Sequence, residues 1–318
     1  LKRNQLVLLG WIISFLFLGL VLRDVNWFSV KEALVRVPWI FPLMMIVTTC
    51  SGFVLRSWRW QFLLPRGIPI QDSLGAVVLG YAANNVLPAR LGEIVRAQAI
   101  GQKCQISRSL ALASIFVERV FDGLVLTCLL YLGIRGSNIP PWASSLGVLG
   151  LSLFGSALTI VLLLALTRSR WEKKIERLSS SKLRNILKQF GGGLTLVWSS
   201  PFLPITILGL SLTVWLVEGV TYYIAIQAFE LQVPTTAALF VMGLINLGIL
   251  IPSAPGYLGA FHYFGILALS AWQIPREEAL ACVIVIHACL YFPITIWGLG
   301  YIPYFGFSSL GKLSSEVK

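Results

Sequence analysis

Charge is scarce in this chain. Lys, Arg, Asp and Glu make up 12% of 318 residues, about half the share usual in soluble domains. A solvated globular surface is therefore excluded. Histidine is scarcer still, with only His262 and His287. The five cysteines, Cys50, Cys104, Cys128, Cys282 and Cys289, lie in or beside apolar runs and form no Cys-x-x-Cys pair. That excludes a disulfide framework or a zinc module and makes them packing residues. No nucleophile–base–metal constellation is present, so no enzyme, no metal and no cofactor are expected. The net charge of +12 comes with no nucleic-acid motif, and nucleic acid is not expected as a partner.

Apolar sequence is abundant: 57% of residues are hydrophobic and the mean hydropathy is +0.81. Runs of spanning length recur at 6–22, 39–55, 109–132, 143–166, 202–228 and 279–303. About 20 apolar residues cross a bilayer core of about 30 Å. The fold class is all-α, a polytopic helical membrane protein. The first run lacks a small-residue cleavage site before Arg23-Asp24, so it reads as a span rather than a cleaved signal peptide.

Two stretches interrupt this pattern in the same way. The first runs Asn84-Asn85-Val86-Leu87-Pro88-Ala89-Arg90-Leu91-Gly92-Glu93, with Arg96 one turn on; the second runs Pro252-Ser253-Ala254-Pro255-Gly256-Tyr257-Leu258-Gly259, with His262 following. Both contain Pro-x-x-Leu-Gly, 167 residues apart (88 to 255, 92 to 259). Broken backbone at membrane depth survives only inside protein or along a cavity. Paired interruptions in two halves point to a transporter's binding site.

Positive charge sets the expected topology. The N-terminus with Lys2 and Arg3, the end of the second span with Arg56, Arg59 and Arg66, and the tail with Lys312 and Lys318 are placed in the cytoplasm. So is the loop 167–200, whose eight Lys and Arg against Glu172 and Glu176 give a net charge of +6. The apolar stretch 73–87, only 15 residues, reaches about 22 Å as a helix and falls short of a crossing. Residues 73–105 then form a re-entrant hairpin opening inward, and about 235–270 one opening outward. The expectation is about six full spans plus two re-entrant helical hairpins in an inverted repeat, about 39–132 and 202–303, with the tips Pro88, Gly92, Pro252, Pro255, Gly256 and Gly259 meeting near the midplane. Ile68-Pro69 and Val233-Pro234, and Trp58 and Trp215, are further pairings. Within 167–200, Trp171, Ile175, Leu178, Leu183, Ile186, Leu187 and Phe190 approximate one helical face, broken at Ser179-Ser180-Ser181. This reads as a basic amphipathic segment on the inner leaflet.

Seven ionisable residues fall at membrane depth: Arg90, Glu93, Arg96, Glu118, Arg119, Asp122 and Glu218. Each costs roughly 2.5–3.5 kcal/mol at a span centre, so they must pair or face water. Glu118 and Asp122, four apart, share a helix face. One reading is buried pairs locking the halves together. The other is anion recognition: Arg90, Arg96 and Arg119 offer planar forks to phosphate oxygens, Glu93, Glu118 and Asp122 balance charge, and a helix starting near Leu91 adds its N-terminal dipole. Asn84 and Asn85 cap that helix or meet a headgroup. His262 and His287 fall near repeat-related polar positions, which would allow proton coupling near pH 6.5; packing is the alternative.

At these residues the chain resembles the transmembrane flippase region of the lysylphosphatidylglycerol synthase/flippase family (multiple peptide resistance factor), as a stand-alone member. The family's Asn, Leu-Pro-Gly/Ala-Arg-x-Gly-Glu-x-x-Arg pattern is met by Asn85, Leu87, Pro88, Ala89, Arg90, Gly92, Glu93 and Arg96. Its Glu-Arg-x-x-Asp is met by Glu118, Arg119 and Asp122. Its Pro-x-x-Pro-Gly-Gly-x-Gly-x-x-Glu is met at Pro252, Pro255, Gly256 and Gly259, with Tyr257 for the second Gly and His262 for the Glu. His287 stands where relatives tend to carry Arg. The resemblance implies a multi-pass inner-membrane lipid flippase-like protein that moves a phospho- or glycolipid, and no synthase activity. The partners implied are the membrane lipid substrate, anionic lipid headgroups, and a homo-oligomer or a lipid- or glycan-synthesising enzyme. A secondary transporter of a small anion and a non-transporting scaffold are the alternatives.

Overall fold

In hydrocarbon, a long apolar segment satisfies its backbone only as a helix. The computed structural model describes residues 3–87, 91–134, 141–251 and 253–306; among them there is no strand. Pro88, Arg90, Pro252, Lys312 and Lys318 lie outside the described residues.

The helices are α1 (Arg3–Leu22), α2 (Trp27–Arg36), α3 (Ile40–Gln61), α4 (Ile70–Val86), α5 (Gly92–Lys103), α6 (Arg108–Ile134), α7 (Pro141–Leu166), α8 (Arg168–Glu176), α9 (Ser181–Thr195), α10 (Leu203–Ala228), α11 (Ala237–Gly248), α12 (Ala260–Leu269), α13 (Arg276–Gly300) and α14 (Ile302–Phe305). Among the described residues, four segments are long and apolar enough to cross a membrane: Ile40–Gln61, Ser144–Leu166, Leu203–Ala228 and Arg276–Phe305. Leu8–Leu22 and α2 are apolar enough only when taken together, and they are bent by 86° to one another. Helix α6 has the length, 27 residues, but carries Glu118, Arg119 and Asp122 at its middle. Large apolar side chains face outward along these helices, among them Phe15, Leu153, Ile205 and Ile296. The protein is an integral, multi-pass helical membrane protein.

Two sets of helices share one order: a long helix, a broken pair, a long helix. The first set is α3, α4–α5, α6; the second is α10, α11–α12, α13. Their packing is exchanged. Helix α4 packs on α13, and α11 packs on α6, while α3 and α10 meet at the centre. The central pair is antiparallel. Thr48 meets Thr221, Gly52 meets Val217, and Arg59 meets Ser211, so numbers rise on one helix as they fall on the other. Each set has its own buried core. Val125, Leu126, Leu129 and Leu130 of α6 lie in the core of the second set, and Ile294 of α13 in that of the first. Glycines allow these seams. A β-carbon on Gly298 would overlap the Val78 carbonyl oxygen, and one on Gly243 would stand 2.7 Å from Leu130.

Trp58 and Trp215 are not alike in environment: Trp58 is exposed and Trp215 is buried. Their antiparallel helices present different faces to the centre. The basic segment forms α8 and α9. Ser180 ends the break between them, its hydroxyl accepting from the Leu183 N–H at 3.3 Å. Gly193 of α9 packs on Ala113 and the Leu110 backbone, which holds the segment against the first turns of α6.

Candidate functional site

The breaks at the two tips are closed by side chains and glycine. After α4, the Asn84 Oδ1 accepts from the Gly92 N–H at 2.7 Å, capping α5. Its Nδ2 donates to Glu93 at 3.4–3.5 Å. A β-carbon on Gly92 would overlap the Gly80 carbonyl oxygen, so only glycine lets α4 and α5 close so tightly. At the second tip, Pro255–Tyr257 form one 3₁₀ turn. Gly256 and Gly259 adopt φ of 68° and 85°, a region that favours glycine. The Ser14 hydroxyl of α1 accepts from the Ala254 N–H at 2.7 Å, which braces this tip.

The two tips touch. A β-carbon on Gly256 would lie 3.4 Å from the Asn85 carbonyl oxygen. The Asn85 Nδ2 donates to Thr295 Oγ1 at 2.7 Å and to the Tyr291 carbonyl at 3.3 Å. The Tyr291 hydroxyl donates back to the Asn85 carbonyl at 3.3 Å.

An ion network lies beside them. Arg96 grips Glu118 with both terminal nitrogens, at 3.0 and 2.9 Å, and stacks 3.7 Å over Trp60. Arg59, fully buried, donates to Asp122 with both terminal nitrogens, to the Ser211 hydroxyl at 2.7 Å, and stands 3.3 Å from Glu118. The Trp215 Nε1 donates to the same Asp122 at 2.9 Å. Arg56 pairs with Glu218, whose other oxygen accepts from the Asn246 Nδ2 at 3.2 Å. Arg56 and Arg59 are therefore not cytoplasmic markers. Helix α3 continues past them to Gln61, and carboxylates from α6 and α10 compensate their charge. Arg66 alone of that trio is exposed.

Arg119 is held differently. Its Nη2 donates to the Tyr81 hydroxyl at 3.0 Å. Its carboxylate neighbours Asp122, Glu93 and Glu118 stand off at 3.6, 3.9 and 3.9 Å, beyond hydrogen-bond range. Its side chain is 33% exposed, and its Nε has no hydrogen-bond partner among the described residues.

Arg119 lines a cavity of about 370 Å³ between the two sets of helices. The wall includes Asn84, Asn85, Glu93, Arg119 and Asp122 from the first set and His287 from the second. Arg96 and Glu118, locked to one another, are not on it. Sequence reasoning missed Arg56, Tyr81, Trp215 and Asn246 on the wall. The Arg56-x-x-Arg59 spacing inside an apolar helix was the available signal for the first. His262 and His287 meet with ring centroids 5.0 Å apart. His287 stacks on Phe261 at 4.4 Å and reaches the wall, while His262 stands behind it, its Nδ1 without a hydrogen-bond partner among the described residues.

Residues 7–298 match the family described as the lysylphosphatidylglycerol synthase TM region. A UPF0104 membrane protein of Methanocaldococcus jannaschii is 30% identical over 219 residues, covering 68% of this chain and 90% of that protein. Another, from Methanothermobacter thermautotrophicus, is 23% identical over 314 residues, covering 91% of this chain and 92% of its own length. The glycosyltransferase AglD of Haloferax volcanii is 24% identical over 267 residues, 71% of this chain but 42% of that protein. With the match running across nearly all its length, the chain belongs to the family of the lysylphosphatidylglycerol synthase transmembrane region.

Proposed function

We propose that this protein is a flippase-like transporter that moves a phosphate-bearing lipid between the leaflets of the inner membrane. The headgroup sits in the cavity between the hairpin tips, and the tails stay in the bilayer. The carrying observation is Arg119. It is the one arginine of the described network whose carboxylate neighbours all stand beyond hydrogen-bond distance, and it faces the cavity. A guanidinium with free donors in an enclosed site is a phosphate receptor. Arg56, Arg59 and Arg96 hold the frame. The volume, about 370 Å³, lies near the lower end of small-molecule sites, about 300–1,000 Å³, which suits a headgroup without its chains.

The basic helices α8 and α9 support a cytoplasmic placement for the loop between the halves, and with it cytoplasmic N- and C-termini. Their partners are anionic lipid headgroups. The family description and the glycosyltransferase name of the haloarchaeal relative both suit a phospho- or glycolipid substrate, and the chemistry is transport without bond making.

Reconstituted proteoliposomes carrying fluorescent phosphatidylglycerol test this. Wild-type protein exposes inner-leaflet lipid to an impermeant quencher, and Arg119→Gln does not, although it inserts and folds. Full translocation by Arg119→Gln overturns the reading. Uptake of free phosphate without lipid movement supports a small-anion transporter instead.

A further inference from the structure

One hydroxyl on the cavity wall has a hydrogen left to give. Tyr81, on α4, lines the cavity. Its oxygen accepts from Arg119 Nη2 at 3.0 Å and lies 3.5 Å from Arg56 Nη1. A guanidinium only donates, so the phenol lone pairs face two cations. The hydroxyl hydrogen must turn away from them, and no described residue stands within hydrogen-bond distance to accept it. Two other tyrosines of the wall differ. Tyr291 spends its hydrogen on the Asn85 carbonyl, and Tyr222 meets an amide, Asn246, at 3.4 Å. The Tyr81 ring is held from both sides. Its centroid lies 4.8 Å from that of Phe53, edge to face, and the Arg56 and Arg119 guanidinium carbons stand 5.7 and 5.4 Å from it.

Arg119 makes one hydrogen bond among the described residues, and Tyr81 receives it. That bond sets the plane of the fork. It leaves Nη1, on the same carbon, without a hydrogen bond, with Asp122 3.6 Å away. An anion placed on Nη1 therefore comes within reach of the Tyr81 hydrogen. Phosphate has oxygens enough to take both donors at once, and each bond is charge-assisted. A neutral hydroxyl also adds a donor to a site crowded with ions without adding a charge that needs compensation. Resting on the transport reading, we infer that Tyr81 is a ligand-contacting residue of the anion site: its oxygen holds Arg119 in place, and its hydrogen goes to a phosphate oxygen. The contact is to the phosphate itself, so a lipid headgroup and a free phosphate share it.

Tyr81→Phe keeps the ring and its packing and removes only the hydroxyl. Dioleoyl phosphatidylglycerol is titrated into purified protein and followed by native mass spectrometry, beside dioleoylglycerol, which lacks the phosphate. Tyr81→Phe should weaken phosphatidylglycerol about 10- to 100-fold, the range of one hydrogen bond to a charged group, and leave dioleoylglycerol unchanged. Loss of both lipids together, or of neither, overturns the inference. Inorganic phosphate as competitor separates the two sources: displacement of the lipid identifies a free anion as a second source, and no displacement leaves the lipid alone. 3-Fluorotyrosine placed at position 81 separates contact from positioning, and it decides where Tyr81→Phe does not fold. Fluorine makes the hydroxyl a better donor and a poorer acceptor, so phosphatidylglycerol should bind more tightly than to wild type. Equal or weaker binding means that the oxygen only holds Arg119, and overturns the inference. If Arg119→Gln binds phosphatidylglycerol as wild type does, the anion site itself is wrong and the transport reading falls with it. If Arg119→Gln loses the lipid but Tyr81→Phe keeps it, only the present inference fails.

Discussion

Replacing Arg59 with methionine removes a fully buried guanidinium but keeps much of its volume. Asp122 loses both terminal-nitrogen bonds from Arg59 and is left with the Trp215 indole N–H and Arg119 at 3.6 Å. Glu118 stays gripped by Arg96. Breaking a buried ion pair from one side costs about 3–5 kcal/mol, because the remaining charge is stranded. With roughly 2 °C of midpoint per kcal/mol in a chain of this size, thermal unfolding in detergent should fall by about 6–10 °C. Arg119→Gln is the contrast. Its guanidinium is a third exposed and its pairs are long, while the buried Asp122 and Glu118 keep their bonds to Arg59 and Arg96, so its loss should cost about 0–1 kcal/mol and the midpoint should stay within about 2 °C of wild type. Adding Asp122→Asn to Arg59→Met removes the stranded charge and keeps an acceptor for Trp215, so a large part of the loss should return. Tryptophan fluorescence during a temperature ramp reads all three. An equal fall in Arg59→Met and Arg119→Gln would refute the division between framing and receiving arginines. So would an Arg59→Met midpoint at the wild-type value.

Gly298→Ala should cut the monodisperse fraction in size-exclusion chromatography severely, since its β-carbon meets backbone at Val78 and overpacking costs about 1–3 kcal/mol or more; a wild-type profile would show that the α4–α13 seam can move apart. Asn84→Ala should cost about 0.5–2 kcal/mol through the lost cap on Gly92, read as a lower unfolding midpoint, and Asn84→Asp should not restore it, because a second carboxylate would then face Glu93 where the Nδ2 now donates; a wild-type midpoint in both would show that the cap contributes nothing. Cysteines introduced at Arg108 and Lys173, in a background without the native ones, should label from the same face of the membrane, because α9 packs on the start of α6; labelling from opposite faces contradicts that arrangement.

The long helices were legible because an apolar run of spanning length has one backbone solution. The runs 39–55, 202–228 and 279–303 reappear as Ile40–Gln61, Leu203–Ala228 and Arg276–Gly300. The first of these shows where reading along the chain stops. Arg56 and Arg59 looked like the watery end of a span because charge usually marks one. Their partners Asp122 and Glu218 lie 63 and 162 residues away, and nothing local announces them. The same distance hides the fate of Arg96. As a residue type it suits phosphate as well as Arg119 does. Only the bidentate bond to Glu118 removes it from the cavity wall. The tips were legible from Pro-x-x-Leu-Gly, but the Asn85–Thr295 bond that ties one half to the other was not, since Thr295 is a lone hydroxyl in an apolar helix.

The two sets of helices exchange packing partners, yet they no longer carry equivalent chemistry. Every arginine of the described network comes from α3, α5 or α6. The second set answers with one carboxylate, Glu218, the Asn246 amide, and the stack of Phe261, His287 and Tyr291. A site built from two identical halves would hold a headgroup equally well in either of two opposed orientations. This one has its guanidinium groups on one wall only and Glu218 with aromatic and amide groups on the other, so in the transport reading a bound phosphate has one place to go. In the transport reading the headgroup therefore keeps its orientation relative to α6 throughout a cycle. Access changes by the halves moving around the lipid, as repeat-built transporters do around a fixed midplane site. The Asn85–Tyr291–Thr295 contact, which ties the first tip to α13, is then the joint that must open and re-form, and its three hydrogen bonds are weak enough, at about 0.5–1.5 kcal/mol net each, for differential headgroup binding in the two states to offset.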